Sequence, residues 1–179
     1  MNKSEFKKTI NALAHEELTD LVLDLYSDSK AFRDIISSRL SEADADAVLE
    51  KYKRKLEKEF NRVHSFSLSS CKSVLLEYES IAPDQAHTAI INFWFAFYAA
   101  EFSRTFGDID SAFYNKLVKS GLKAIEYASR DRDFWNTWSS RFDDLISCCG
   151  YFGWGVEDEL RQALDAVETK WSDEDGGTS

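Results

Sequence analysis

Proline is almost missing from this 179-residue chain, with Pro83 alone, and glycine is held to seven. Sandwiches and barrels of β-strands spend both residues on their many turns, so an all-β architecture is excluded. No Gly/Ser-rich stretch interrupts the interior, and none marks a boundary to a second domain. Cysteine is scarce and unpaired in pattern: Cys71, Cys148 and Cys149 make an odd count without CxxC spacing. Adjacent cysteines do not easily bridge within helical backbone, so the expected state is three small, partly buried, reduced thiols. The opening segment MNKSEFKKTI has no apolar signal region and already looks amphipathic. Together with the thiols this points to the cytoplasm. Positive charge is also short, 22 Lys+Arg against 32 Asp+Glu, for a net charge of −10. That balance disfavours generic binding to DNA, RNA or anionic membranes, and leaves open an acidic surface that imitates nucleic acid. His15, His64 and His87 lack the paired spacing of zinc ligands, so neither a metal nor another cofactor is expected.

What is abundant is aromatic. Phe, Trp and Tyr make up 14 % of the chain within a 44 % hydrophobic total, which excludes disorder as the global state. The densest run is INFWFAFYAAEF, Ile91 to Phe102. At about 100° per residue its bulky side chains cover well over half of a helical wheel, and the remaining sector holds Asn92, Ala96, Ala99 and Ser103. A helix apolar on nearly every side is a membrane span or the buried centre of a helical domain. This run falls short of the roughly 20 residues a bilayer requires, and Glu101 interrupts its end. It is predicted to be the central helix of an all-α domain.

Helical spacing begins almost at once. Phe6, Ile10 and Leu13, then Leu18, Leu21, Val22 and Leu25, recur at intervals of three and four, with a break near Ala14 to Glu16. Asp28 or Ser29 is placed to cap a helix bearing Phe32, Ile35, Ile36 and Leu40. A longer helix is predicted from about Asp44 to Val63, and a short one capped by Ser69 or Ser70 runs through Ile81. Pro83 suits the first turn of the central helix. Gly107 closes that helix and Asp110 caps the next, with Ile109 and Tyr114 placed as a hydrophobic staple. Further helices are expected to about Ser129, from about Asp133 to Cys149 and from about Val156 to Thr169. The sum is eight or nine helices around a central aromatic one, as an irregular antiparallel bundle or a short solenoid-like stack of helix pairs. Residues 1–170 form a single domain in this reading, and 171–179 a disordered acidic and Gly-containing tail.

The segments GDIDSAFYNKL and GYFGWGVEDEL, with EELTDLVLDLYSDSKAFRDIISSRL and LEKYKRKLEKEF upstream, give the chain a likeness that spans roughly Glu5 to Ala166. It resembles a bacterial family known only as a domain of unknown function. The resemblance implies an all-helical bacterial protein and brings no activity or catalytic residue with it. Val156 and Glu157 stand where the family's pattern carries an aromatic residue and a histidine.

Several groups of residues are candidates for function. Lys51, Arg54, Lys55, Lys58 and Arg62 fall within about 100° on one side of the predicted Asp44–Val63 helix. Val48, Leu49, Tyr52, Leu56, Phe60 and Val63 form the opposing apolar stripe. Five cations together fit either an acidic partner, phosphate or nucleic acid, or a solvated face neutralised by neighbouring glutamates. Glu101 and Arg104, three apart, can pair, and a carboxylate buried there would gain the raised pKa of a general acid or base. Asp108 and Asp110 stand in a turn but lack the further oxygen ligands of a calcium loop, so capping is the expected role. Cys71 with His64 or His87 has the residue types of a catalytic pair without local support. Tyr151, Phe152 and Trp154 form an aromatic turn that reads either as a pocket rim or as a packed clamp on the last helix. Phe134, Trp135, Trp138, Phe142, Leu145 and Ile146 make an aromatic stripe suited to a core or an interface.

The function that fits these features is a non-enzymatic adaptor or regulator binding another protein through a groove between helix pairs. An acidic nucleic-acid mimic of phage or defence origin is the alternative, and an enzyme with a site near Glu101 is a third. Direct nucleic-acid binding and membrane association are not expected.

Overall fold

The computed structural model describes residues 1–150 and 153–176. Among these residues every regular element is helical: nine α-helices and one short 3-10 turn. They are α1 Lys3–Ala12, α2 His15–Asp28, α3 Lys30–Leu40, α4 Glu42–Phe60, α5 Leu68–Ile81, α6 Gln85–Phe106, α7 Ser111–Ala128, α8 Arg132–Cys149 and α9 Val156–Gly176. The chain divides into two compact units, Met1–Val48 and Leu49–Ser179. None of the helices found is long and apolar enough to cross a membrane, among the described residues.

In the first unit the helix ends are well specified and the helix faces are not deeply buried. Asn2 closes a capping box: its side chain accepts from the Ser4 and Glu5 amides, and its backbone N–H donates to the Glu5 carboxylate. Ser29 caps α3 through the Phe32 amide. Arg33 donates to the carbonyls of Tyr26 and Ser27 at 2.8 and 2.7 Å, which ties α3 back to the end of α2. Neither α1 nor α2 holds a fully buried residue. Phe6, Leu21, Leu23, Leu25, Tyr26 and Leu40 are exposed, although several of them fit the helical spacing that predicts a core face.

The core lies in the second unit. Its centre is α6, which packs along α7 and also meets α5 and α8, while α9 lies against α7 and α8. Asp84, Asp110 and Asp131 cap α6, α7 and α8 through the amides of His87, Phe113 and Phe134, at 2.8, 2.8 and 2.9 Å. Caps of this kind each contribute about 1 kcal/mol. Pro83 therefore precedes the cap of α6 instead of occupying its first turn. Gly107 ends α6 at φ +90°, its N–H bonded to the Ser103 carbonyl at 2.8 Å. The small sector foreseen for close approach, Asn92, Ala96, Ala99 and Ser103, is buried throughout. Ser103 Oγ and the Tyr114 hydroxyl lie 2.7 Å apart across the α6–α7 contact. On α7, a Cβ at Gly121 would stand 2.7 Å from Leu160 Cδ2 of α9, so a larger residue there requires the Leu160 side chain to shift. Leu56, Leu75, Ile91, Leu117 and Leu145 are fully enclosed, each stabilising the fold by about 1.5–3 kcal/mol relative to exposure.

Two further expectations change in the structure. The central helix is not sealed on every side, because Trp94, Phe97, Tyr98 and Glu101 are only half-buried and Thr105 is exposed. These residues share one face, within about 100° of arc at 100° per residue. The helical register also continues past Thr169: Trp171, which the sequence places in a tail, is 7 % exposed and donates from Nε1 to the Ala128 carbonyl at 3.1 Å.

Candidate functional site

Helix α4 holds four of the eight sequence-predicted site residues, Lys51, Arg54, Lys55 and Lys58, and only part of their charge is free. Leu49, Tyr52, Leu56 and Phe60, at intervals of three and four, turn inward. The Tyr52 ring lies 5.3 Å from that of Tyr78 on α5, and its hydroxyl donates to Glu77 at 2.6 Å. This packing fixes the outward side of α4. Lys55 is drawn into it, its ammonium 3.2 Å from Glu77 and 3.8 Å above the Tyr52 ring. Lys51 sits 5.9 Å over the same ring. Arg62 lies beyond the last residue of α4 and pairs with Glu59 at 3.0 Å. Val63, expected on the apolar stripe, begins the 3-10 turn and is 45 % exposed. Arg54 and Lys58 remain: they are exposed, one turn apart, and no ion pair engages either among the described residues.

On the opposite flank, α4 and α6 enclose a cleft of about 300 Å³ that the sequence pattern does not reveal. Phe60, Phe97, Tyr98, Phe102 and Phe106 supply its aromatic lining. Glu57 and Glu101 supply two carboxylates. Nearby, the Lys53 ammonium lies 3.9 Å over the Trp94 ring, which joins the two helices one turn earlier. Burial, with the negative charges of Glu57 and Glu50, pushes the Tyr98 phenol up to about 12, so it stays neutral in ordinary buffers. The signal that was available in sequence is the co-facial set Trp94, Phe97, Tyr98, Glu101 and Thr105; its partner Glu57, on a different helix, had no local mark.

Glu101 does not present itself as a free acid or base. Arg104 donates to Oε2 at 2.9 Å, and the Cys148 thiol on α8 donates to Oε1 at 3.1 Å. Burial first, then the bond to Glu101 and its charge, pushes that thiol up to about 11. Cys71 and Cys149 are fully buried and pushed up to about 12, chiefly by desolvation. At neutral pH all three are protonated, and Cys71 offers no thiolate to His64 or His87. Among the described residues no group of three or more His, Cys, Asp or Glu side chains is arranged to hold a metal ion.

The remaining candidates have structural partners. Asp110 caps α7, and Asp108 accepts from Trp154 Nε1 at 2.9 Å. Trp154 is 58 % exposed and adopts φ +68°, a conformation costly for a bulky residue. Its bond to Asp108 and its stacking 5.8 Å from Tyr114 offset that strain and tether the indole, while more than half of its surface stays exposed. Tyr151 and Phe152 lie outside the described residues. In the α8 stripe Phe134, Trp138, Phe142, Leu145 and Ile146 are buried, and Trp135 is half-buried.

A second charged cluster surrounds Glu79, which accepts from Asn92 and Lys123, each at 2.6 Å. Burial raises the Glu79 carboxyl, but these bonds and the charges of Lys123 and Lys116 outweigh it and hold the group below its ordinary value. Burial pushes Lys116 down against the pull of Glu79, with Lys123, Lys72 and Lys119 adding to the depression. A cleft of about 330 Å³ nearby is bordered by Thr88, Lys123, Tyr127 and the Arg130–Glu126 pair.

No family model, characterised protein or solved structure matches this chain.

Proposed function

We propose that the chain is a non-enzymatic helical adaptor or regulator, acting in the cytoplasm, that binds an acidic segment of another protein along the outer edge of α4. The observation that carries this reading is the pair Arg54 and Lys58, exposed and without an ion-pair partner among the described residues, while Lys55 and Arg62 are engaged. Two free cations on a packed helix attract a short acidic stretch, whereas the net charge of −10 repels a long polyanion. Binding in place of catalysis is supported by the state of the half-buried groups. Both Glu101 oxygens are occupied as acceptors, and the neighbouring Cys148 thiol is protonated at neutral pH.

The double reversal R54E/K58E is expected to abolish recovery of the co-purifying partner and to leave the far-ultraviolet circular dichroism unchanged. Exposed substitutions of this kind alter stability by less than about 0.5 kcal/mol, so folding and binding separate. Recovery from the unaltered protein should fall as salt rises, since exposed charges are screened over roughly 10 Å at 0.1 M. Undiminished recovery by the double variant returns α4 to a solvated helix face.

A further inference from the structure

We propose that the cleft between α4 and α6 is a binding site for a small quaternary ammonium compound of the choline type. Its lining combines the two features such a cation uses, aromatic faces and an unneutralised carboxylate. Glu57 supplies the charge: no hydrogen bond or ion pair engages its carboxylate among the described residues. Glu101 is offset by Arg104 at 2.9 Å, leaving Glu57 as the net charge facing the cleft. Tyr98, Phe97 and Phe106 supply the rings, and Phe106 is 47 % exposed at the end of α6, where the fold gives it little to cover.

The same face of α6 already holds an ammonium on an aromatic ring, since Lys53 lies 3.9 Å over Trp94 and Trp94 is 5.6 Å from Tyr98. A primary ammonium carries three N–H donors and needs acceptors for them. With both Glu101 oxygens in use, the carboxylate the cleft has to give is that of Glu57, and a quaternary head takes up its charge and the aromatic lining without needing acceptors for N–H donors. The volume of about 300 Å³ lies at the small end for ligand sites, which fits a head group with a short stem. The carboxylates select against a zwitterion such as betaine, whose own carboxylate would face Glu57.

Choline chloride titrated into the full chain at constant ionic strength, followed by aromatic and backbone NMR, tests the site. Saturable shifts are expected at Tyr98, Thr105 and Phe106. The uncharged isostere 3,3-dimethylbutan-1-ol should bind at least about fivefold more weakly. E57Q should reduce choline affinity by a similar factor and leave that of the neutral isostere unchanged, and F106A should weaken both. Both variants alter exposed side chains, so their folding is checked by an unchanged spectrum outside the cleft. Absence of saturable shifts, equal affinity for choline and its isostere, or choline binding unaffected by E57Q each overturns the proposal. A trimethyllysine peptide binding at least tenfold more tightly than choline overturns the assignment to a small molecule.

Discussion

The Cys148 thiol of α8 donates to Oε1 of Glu101 on α6 across 3.1 Å, and this single contact links the chemistry of two half-buried groups. A thiol that donates to a carboxylate is stabilised as the thiol, because its thiolate would face a second negative charge. The carboxylate in turn keeps an acceptor role on both oxygens, since Arg104 holds the other.

Alkylation of Cys148 should accordingly be slow. With its pKa near 11, against 9.0 for an ordinary thiol, little thiolate exists at neutral pH. The expected rate with iodoacetamide is at least about tenfold below that of a free cysteine, allowing for the greater nucleophilicity of a more basic thiolate. Glu101→Gln removes the opposing charge and should accelerate the reaction. Site-resolved mass spectrometry separates Cys148 from its buried neighbour Cys149. Equal rates before and after the substitution would break the link drawn between the two groups.

The two faces of α6 should differ in what they contribute to stability. Phe93 is 1 % exposed, with its ring 5.1 Å from Trp138 and 5.6 Å from Phe142 of α8. Phe93→Ala is expected to cost about 3–5 kcal/mol in urea unfolding. Phe97, half-buried at the cleft, should cost below about 2 kcal/mol, since part of its surface already meets water. Equal losses would mean that the cleft is closed.

The helices were legible in the sequence where local chemistry specifies them. Asp110 before an apolar spacing, Gly107 after one, and the run Phe134, Trp138, Phe142 and Leu145 declare caps and faces without tertiary help. The boundary of α6 was less legible because Asp84 caps more effectively than Pro83 starts a helix. Spacing alone also gave Phe6 and Leu25 the look of core residues, although both are exposed. The site followed the same division. The cations of α4 stand in one segment and were visible, but Lys55 is consumed by Glu77, a residue 22 positions away. The cleft joins Glu57 to Glu101 across two helices, and no periodicity within either helix reports that meeting.

Trp171 should behave as core and not as part of a tail. Its indole N–H bonds to the Ala128 carbonyl, and the Arg132 guanidinium lies 5.3 Å over its ring. Trp171→Ala is expected to lower stability by about 3–5 kcal/mol, in the range of enclosed aromatic truncations. Alanine at the exposed Lys170 next to it should cost much less, although Lys170 donates to the Ser129 carbonyl. A thermal or urea midpoint unmoved by Trp171→Ala would detach the end of α9 from the core.

Alkaline pH should unfold the chain earlier than its acidic composition suggests. The three thiols are held as thiols to about 11 or 12 in the fold, whereas an ordinary cysteine ionises at 9.0. Burial likewise pushes Tyr98 and Tyr127 up to about 12, against 10.0 in the ordinary phenol. Between these limits the unfolded chain has released protons that the folded chain retains, so stability falls as pH rises. The contribution is fully present below about pH 9 and is lost as pH climbs through 11 to 12. Lys116 works in the opposite sense, because burial lowers its pKa and the folded chain releases its proton first. Tyr114 is raised as well, chiefly by burial, and six groups against one leave the net slope negative. Urea midpoints measured from pH 8 to 11 under reducing conditions should decline, and Cys71→Ala should flatten the decline while lowering the starting value. A midpoint constant over that range would show that the buried thiols ionise in the fold as readily as in water.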